Sequence, residues 1–260
     1  MIHPKTLVVA NWKMHFTAGE ASIYAHRLHK LIAGHRDIEV VLAPSMLSLQ
    51  PLSQEIDRRK FKLAAQNAQA KDEGAYTGEV SFAMLQHLVK YAIIGHSERR
   101  IYFHENLEII RDKVAACVRN NITPILCVGE TQHERREGET KQVLHDQIVS
   151  ALSNLTAQEV ATVVIAYEPV WAISNFGGEI AKPDAIETCM KFIRAQIRDL
   201  YGEAAARSVR ILYGGSVDDH IAGGYLRLPD CGGVLVGSAS LKPHVFAGIV
   251  EAAHRAGREG

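Results

Sequence analysis

No cysteine in this sequence stands near another. The four, Cys117, Cys127, Cys189 and Cys231, show no metal-ligand spacing, which argues against a zinc site or a disulfide framework. Cys117 falls in a helical pattern and Cys127 ends an apolar run, so the cysteines read as buried free thiols of a reducing compartment. An excess of either charge is missing too, since Lys plus Arg and Asp plus Glu are 29 each. No global positive field draws nucleic acid or anionic lipid, and any phosphate recognition has to be local. The first apolar run, Leu7-Val8-Val9-Ala10, passes at once into Asn11-Trp12-Lys13 and is too short for a signal-peptide core or a membrane span. No Ser/Gly linker, low-complexity tract or change of composition divides the chain. The expectation is a cytoplasmic enzyme of one domain over 1–260, with neither nucleic acid nor membrane as partner.

What is present is repetition. Apolar runs centre on Leu7-Ala10, Val40-Ala43, Leu63-Ala65, Ala92-Ile94, Ile125-Val128, Val163-Ala166, Val209-Leu212 and Val234-Val236. They are rich in Val, Ile and Leu without polar alternation, as in a parallel sheet covered on both faces, though a short buried helix imitates such a run. Helical stripes lie between them: Leu107, Ile110, Val114 and Val118; Leu144, Ile148, Leu152 and Leu155; Ile186, Met190, Ile193, Ile197 and Leu200. Thr131 with Glu134 fits a capping box, and Pro183 suits a first helical turn. The pattern predicts an α/β fold, a single (β/α)8 barrel of eight parallel strands surrounded by helices. The rival is an open doubly wound sheet, which often carries a glycine-rich turn after its first strand; here Asn11-Trp12-Lys13-Met14 stands there instead.

Closing such a barrel brings every strand's C-terminal end to one rim, and the residues at those exits suit chemistry. Glu168 ends an apolar strand, and Pro169 holds it extended. It is either a solvated strand end or, buried beside Trp171 and Ile173, a general base of raised basicity. His96, between Gly95 and Ser97, sits where a helix begins, which disfavours protonation; it reads as a structural histidine or as a neutral hydrogen-bond donor. Lys13, beside Asn11, is a surface lysine or a point charge for phosphate or a developing oxyanion. The turns Tyr213-Gly214-Gly215-Ser216 and Val236-Gly237-Ser238-Ala239 suit phosphate. Ser216 also fits a helix cap, with Asp219 completing the box.

These segments, with Ala65-Gln66-Asn67, Gly74 to Ser81, Gly95 to Arg100, Cys127-Val128-Gly129-Glu130, Ala166 to Ile173 and Gly237 to Leu241, resemble the triosephosphate isomerase family over essentially the full length. The resemblance implies interconversion of dihydroxyacetone phosphate and glyceraldehyde 3-phosphate, without cofactor or metal. It implies Glu168 as the base that moves a proton between neighbouring carbons and His96 as the group polarising the carbonyl. Lys13 and Asn11 would stabilise the enediolate, with Glu98 supporting Lys13. Amides around Ser174, Ser216, Gly237 and Ser238 would hold the phosphate. The segment after Glu168 would be a lid hinged at Pro169-Val170-Trp171 and again near Glu179 to Ala181. The Gln66–Thr77 stretch would reach into a second subunit of a homodimer, where Thr77 buttresses Asn11 and Lys13.

Three positions depart from the family's usual pattern. His15 replaces an asparagine near the expected subunit contact, Ser238 replaces a glycine, and the lid tip Ser174 to Ala181 is about two residues longer than the common Ile-Gly-Thr-Gly arrangement. Rival functions are a paralogous isomerase of a four-carbon ketose phosphate such as an erythrulose phosphate, a catalytically silent binding barrel, and a metal-dependent phosphosugar epimerase. The last would need a His/Asp metal set at the rim that the sequence does not offer.

Overall fold

Strands that are apolar on both faces need cover on both faces, and closing the sheet supplies it. The computed structural model describes residues 5–173 and 180–259. Its strands are β1 (Thr6–Asn11), β2 (Ile38–Ala43), β3 (Phe61–Ala65), β4 (Tyr91–Ile94), β5 (Thr123–Val128), β6 (Val164–Tyr167), β7 (Arg210–Tyr213) and β8 (Cys231–Val236). They pair in parallel in chain order, and β8 returns to β1 to close the barrel. Side chains two apart, such as Leu7 and Val9, Val41 and Ala43, Ile125 and Cys127, form a core inside the barrel. Their neighbours Val8, Ala10, Val40, Leu42 and Leu126 pack into a second core with the helices. Each fully buried aliphatic side chain is worth about 1.5–3 kcal/mol relative to exposure, which is why both faces are selected apolar. Closure also sets a steric demand. Gly233 has φ +147°, and a Cβ there would collide with the Leu7 carbonyl.

The helices are α1 (Ala18–Leu31), α2 (Met46–Glu55), α3 (Phe82–Leu85), α4 (Ser97–Tyr102), α5 (Leu107–Arg119), α6 (Gln132–Arg136), α7 (Thr140–Leu152), α8 (Ala157–Val160), α9 (Pro183–Ser208, interrupted at Gly202), α10 (Ala222–Leu226) and α11 (Pro243–Glu259). The Thr131–Glu134 capping box forms at α6, and Pro183 opens α9. No described helix is long and apolar enough to cross a membrane.

All eight apolar runs contain a strand, with corrections at the edges. Val163 and Val209 precede β6 and β7, because their N–H groups donate back to Val160 and Ala205 and close the preceding helical turns. Leu155 lies beyond the end of α7 but stays buried in the core, whereas Leu200 is 44% exposed and leaves it. Cys117 and Cys127 are buried, whereas Cys189 and Cys231 are only partly so. Ser216 caps no helix; its N–H and Oγ both donate to the Ala172 carbonyl, at 3.0 and 2.8 Å.

Candidate active site

The strand ends hold four functional groups in place through local backbone chemistry. Glu168 follows β6, and its N–H continues the ladder to the Val128 carbonyl at 2.8 Å. Its side chain is buried, in a slot bounded by glycines of the two flanking strand exits. A Cβ on Gly129 would collide with the Glu168 carbonyl, and one on Gly214 would lie 2.6 Å from Glu168 Cγ. One carboxylate oxygen lies 3.3 Å from His96 Nε2, and the other accepts the Ser97 N–H at 3.3 Å. Both contacts are long for hydrogen bonds, so the carboxylate is loosely held. Burial, and then the charge of Glu168, push the neighbouring Cys127 thiol well above its ordinary pKa.

His96 is the N-cap of α4, and its Nδ1 accepts the Glu98 N–H at 3.2 Å. A neutral ring with Nδ1 as acceptor carries its proton on Nε2, the atom facing Glu168. The preceding Gly95 has φ +72°. Arg100 bridges the backbone behind it, donating to the Gly95 and Cys127 carbonyls at 2.8 and 2.9 Å.

Lys13 adopts φ +52°, a conformation that disfavours a bulky side chain and marks stored strain. Two side chains hold it there. Asn11 Oδ1 accepts the Lys13 N–H at 3.1 Å, while Gln66 Nε2 donates to the Lys13 and Ala43 carbonyls at 2.8 and 2.9 Å. The ammonium is thereby aimed at Glu98 Oε1, 2.6 Å away, and lies 3.9 Å from where a Cβ on Gly237 would stand. Gly237 leads into a 3-10 turn over Ser238–Leu241, and its carbonyl accepts from the Ser240 N–H and Oγ.

One cleft is lined by Asn11, Lys13, His96, Glu168, Ser216, Gly237 and Ser238, a concave setting in which a few polar groups converge, as in small-molecule sites. Glu98 stands behind Lys13. His15, expected at a subunit contact, is exposed and lines the same cleft; Thr77 is exposed and does not. Ser174 and the lid tip to Glu179 lie outside the described residues.

Two supporting residues escaped the sequence reading as site residues. Gln66 holds Lys13, as above. Glu130 is fully buried and accepts from both Tyr167 OH and Trp171 Nε1, the latter at 2.9 Å, while Arg135 stacks over Trp171 at 4.1 Å. The available signal was position: each is a polar residue at the first or second place beyond an apolar strand. A carboxylate, an imidazole N–H and an ammonium around one hollow can move a proton beside a carbonyl and stabilise the resulting oxyanion.

The profile of the family described as triosephosphate isomerase matches residues 6–253. The chain is 43% identical over 249 residues to the triosephosphate isomerase of Thermodesulfovibrio yellowstonii, covering 95% of this chain and 99% of that one. It is 43% identical over 251 residues to that of Chloroherpeton thalassium, with 96% and 99% covered. To that of Carboxydothermus hydrogenoformans it is 42% identical over 248 residues, with 95% and 98% covered.

Proposed function

The chain belongs to the triosephosphate isomerase family, and from that premise we propose how its residues perform the family's reaction. The reaction interconverts dihydroxyacetone phosphate and D-glyceraldehyde 3-phosphate, an isomerisation of glycolysis and gluconeogenesis. Glu168 removes the proton from one carbon and returns it to the next. His96, neutral, donates from Nε2 to the substrate oxygens; a glutamate base with a neutral histidine is the established pairing in this very family. Lys13 and Asn11 face the enediolate charge, and Glu98 positions Lys13. What carries this reading is the convergence of Glu168, His96 and Lys13 on one cleft that also contains the Gly237–Ser238 turn.

Ser216, Gly237, Ser238 and Ser174 hold the phosphate, whose binding energy comes from a part of the substrate that does not react. Ser216 currently donates twice to Ala172, so gripping phosphate means exchanging that contact. The exchange couples substrate arrival to the segment after Glu168, which closes as a lid and keeps water from the enediolate. Trp171, tied to Glu130, is the fixed end of the hinge; Ala181, whose carbonyl accepts from Tyr225 OH at 2.7 Å, is the other.

The chain works as a cytoplasmic homodimer of single-domain subunits over 1–260. Exposed Met14, Tyr76 and Tyr102, at 95, 45 and 59%, support a partner surface on this side, with Thr77 and His15 at the contact. Analytical ultracentrifugation of wild type and Thr77→Arg tests it: wild type sediments as a dimer, and Thr77→Arg shifts to monomer with a fall in activity.

The decisive assay compares wild type with Glu168→Asp on the triose phosphate. Shortening the side chain by one methylene is expected to lower kcat about a hundredfold or more. Wild type as inactive as Glu168→Ala would favour the silent barrel, and faster turnover of a tetrulose phosphate would favour the four-carbon reading.

A further inference from the structure

Four side chains gather at the opposite end of the barrel, where nothing in the isomerase chemistry uses them. His35 and Asp37 lie on the connection from α1 to β2. Glu251 and His254 stand on α11 at i, i+3, one face of the helix. His35 Nε2 is 3.0 Å from Glu251 Oε2, and His254 Nδ1 is 3.0 and 2.9 Å from the two Asp37 oxygens. The two imidazoles stack with centroids 3.8 Å apart. Ligand-type atoms of His35, Asp37 and His254 all lie within 4.8 Å of one another.

We propose that His35, Asp37, Glu251 and His254 form a binding site for a divalent transition metal of the zinc class, stapling the C-terminal helix to the base of β2. The donor set selects the ion. Two imidazoles with two carboxylates suit zinc and its borderline neighbours, whereas magnesium and calcium favour oxygen alone. Two neutral imidazoles and two carboxylates balance a dication. Tetrahedral bonds of about 2.0–2.1 Å put ligand atoms about 3.3 Å apart. The two hydrogen-bonded pairs must therefore open by a few tenths of an ångström, and the separations across the pairs must shorten to that value. The proton between each ring and its carboxylate gives way to the ion, the neutral imidazole keeping its one N–H on the ring nitrogen away from it. His35 and His254 side chains are 14 and 20% exposed, and Asp37 and Glu251 are 45 and 48%, so the carboxylates leave an entry path, while the stacked rings must turn for both in-plane lone pairs to meet the ion. Lys5 and Arg36, which line the adjoining groove, oppose a cation and temper the affinity. Because the ligands come from both ends of the chain, the site exists only in the folded protein, and the ion stabilises that state.

Chelator-stripped protein is titrated with zinc chloride by calorimetry, beside the double variant His35→Gln/His254→Gln and the control His220→Gln, an exposed histidine elsewhere. Wild type and control are expected to bind one zinc per chain with Kd below about 10 μM. The double variant is expected to lose at least tenfold in affinity, with unchanged isomerase kcat and KM to report its fold. At zinc a hundredfold above Kd, the Tm of wild type is expected to rise by about 5 °C, a rise absent from the double variant. No saturable site tighter than about 100 μM in wild type, or equal binding by the double variant, overturns the proposal.

Discussion

The two ends of the same eight strands are built on opposite rules. At the N-terminal end, polar groups satisfy one another. Arg210 donates to Tyr91 OH at 2.8 Å and to Glu39 at 3.4 Å, and Lys90 reaches Glu39 at 2.5 Å. At the C-terminal rim, groups are left underused. Of the four buried polar side-chain atoms without a partner among the described residues, Trp12 Nε1, Ser97 Oγ and Tyr213 OH stand at or just beyond the ends of β1, β4 and β7. Positive φ follows the same division. Lys13 and Phe16 carry it on the loop that follows β1, and His104 between α4 and α5, whereas the N-terminal side assigns it to Asn121, a residue type that tolerates it. One end is stabilised by satisfaction, while the other holds polarity and strain ready for a ligand.

Lys13→Gly strikes at that contrast hardest. It removes the charge and relieves the strained φ together, so activity and stability are expected to part company. kcat/KM falls by about 10²–10³ or more. Stability stays within about 1 kcal/mol of wild type, as relief of strain offsets loss of a partly exposed ion pair; a coupled assay and a thermal melt read the two. Gly214→Ala comes next. Its Cβ would meet Glu168 Cγ at 2.6 Å, and displacing that carboxylate by about 1 Å is expected to lower kcat about a hundredfold while KM moves little. The mirror experiment is Arg210→Met, which strips Tyr91 and Glu39 of a partner at the satisfied end. Urea unfolding is expected to show a loss of about 1–3 kcal/mol, with kcat/KM within twofold. A large loss of activity there would erase the division between the two ends.

The barrel was legible in the sequence because its physics is local. A parallel strand buried on both faces must be a short apolar run, and each of the eight runs contains one. Glu168, His96 and Lys13 were legible because they directly follow such runs, and the family resemblance gave them roles. Gln66 and Glu130 follow such runs just as closely, but their roles were not legible, since those lie in partners remote in the chain: the Lys13 and Ala43 carbonyls for one, Tyr167 and Trp171 for the other. The cap expected at Ser216 failed because no helix begins there; the hydroxyl turns back 44 residues to Ala172. Leu155 and Leu200 kept the apolar period past the point where helix or core ended, which periodicity alone cannot mark. The set His35, Asp37, Glu251 and His254 was invisible for the same reason as Gln66, its halves being separated by 216 and 217 residues.

Ser238→Gly should have the smallest effect, and it tests whether the rim tolerates substitution where no strain is stored. The family's usual glycine at this place suggests a backbone that only glycine enters, yet Ser238 carries no positive φ and begins a 3-10 turn with its side chain exposed. Its amide is therefore as available to phosphate as a glycine's, and its side chain only borders the cleft. Restoring glycine is expected to change KM by less than about threefold and to lower stability by about 0.5–1 kcal/mol through added freedom of the unfolded chain. Steady-state kinetics and a thermal melt of the one variant read both. A tenfold fall in KM would mean that the serine side chain obstructs the phosphate, and that this turn, like Lys13, trades comfort for function.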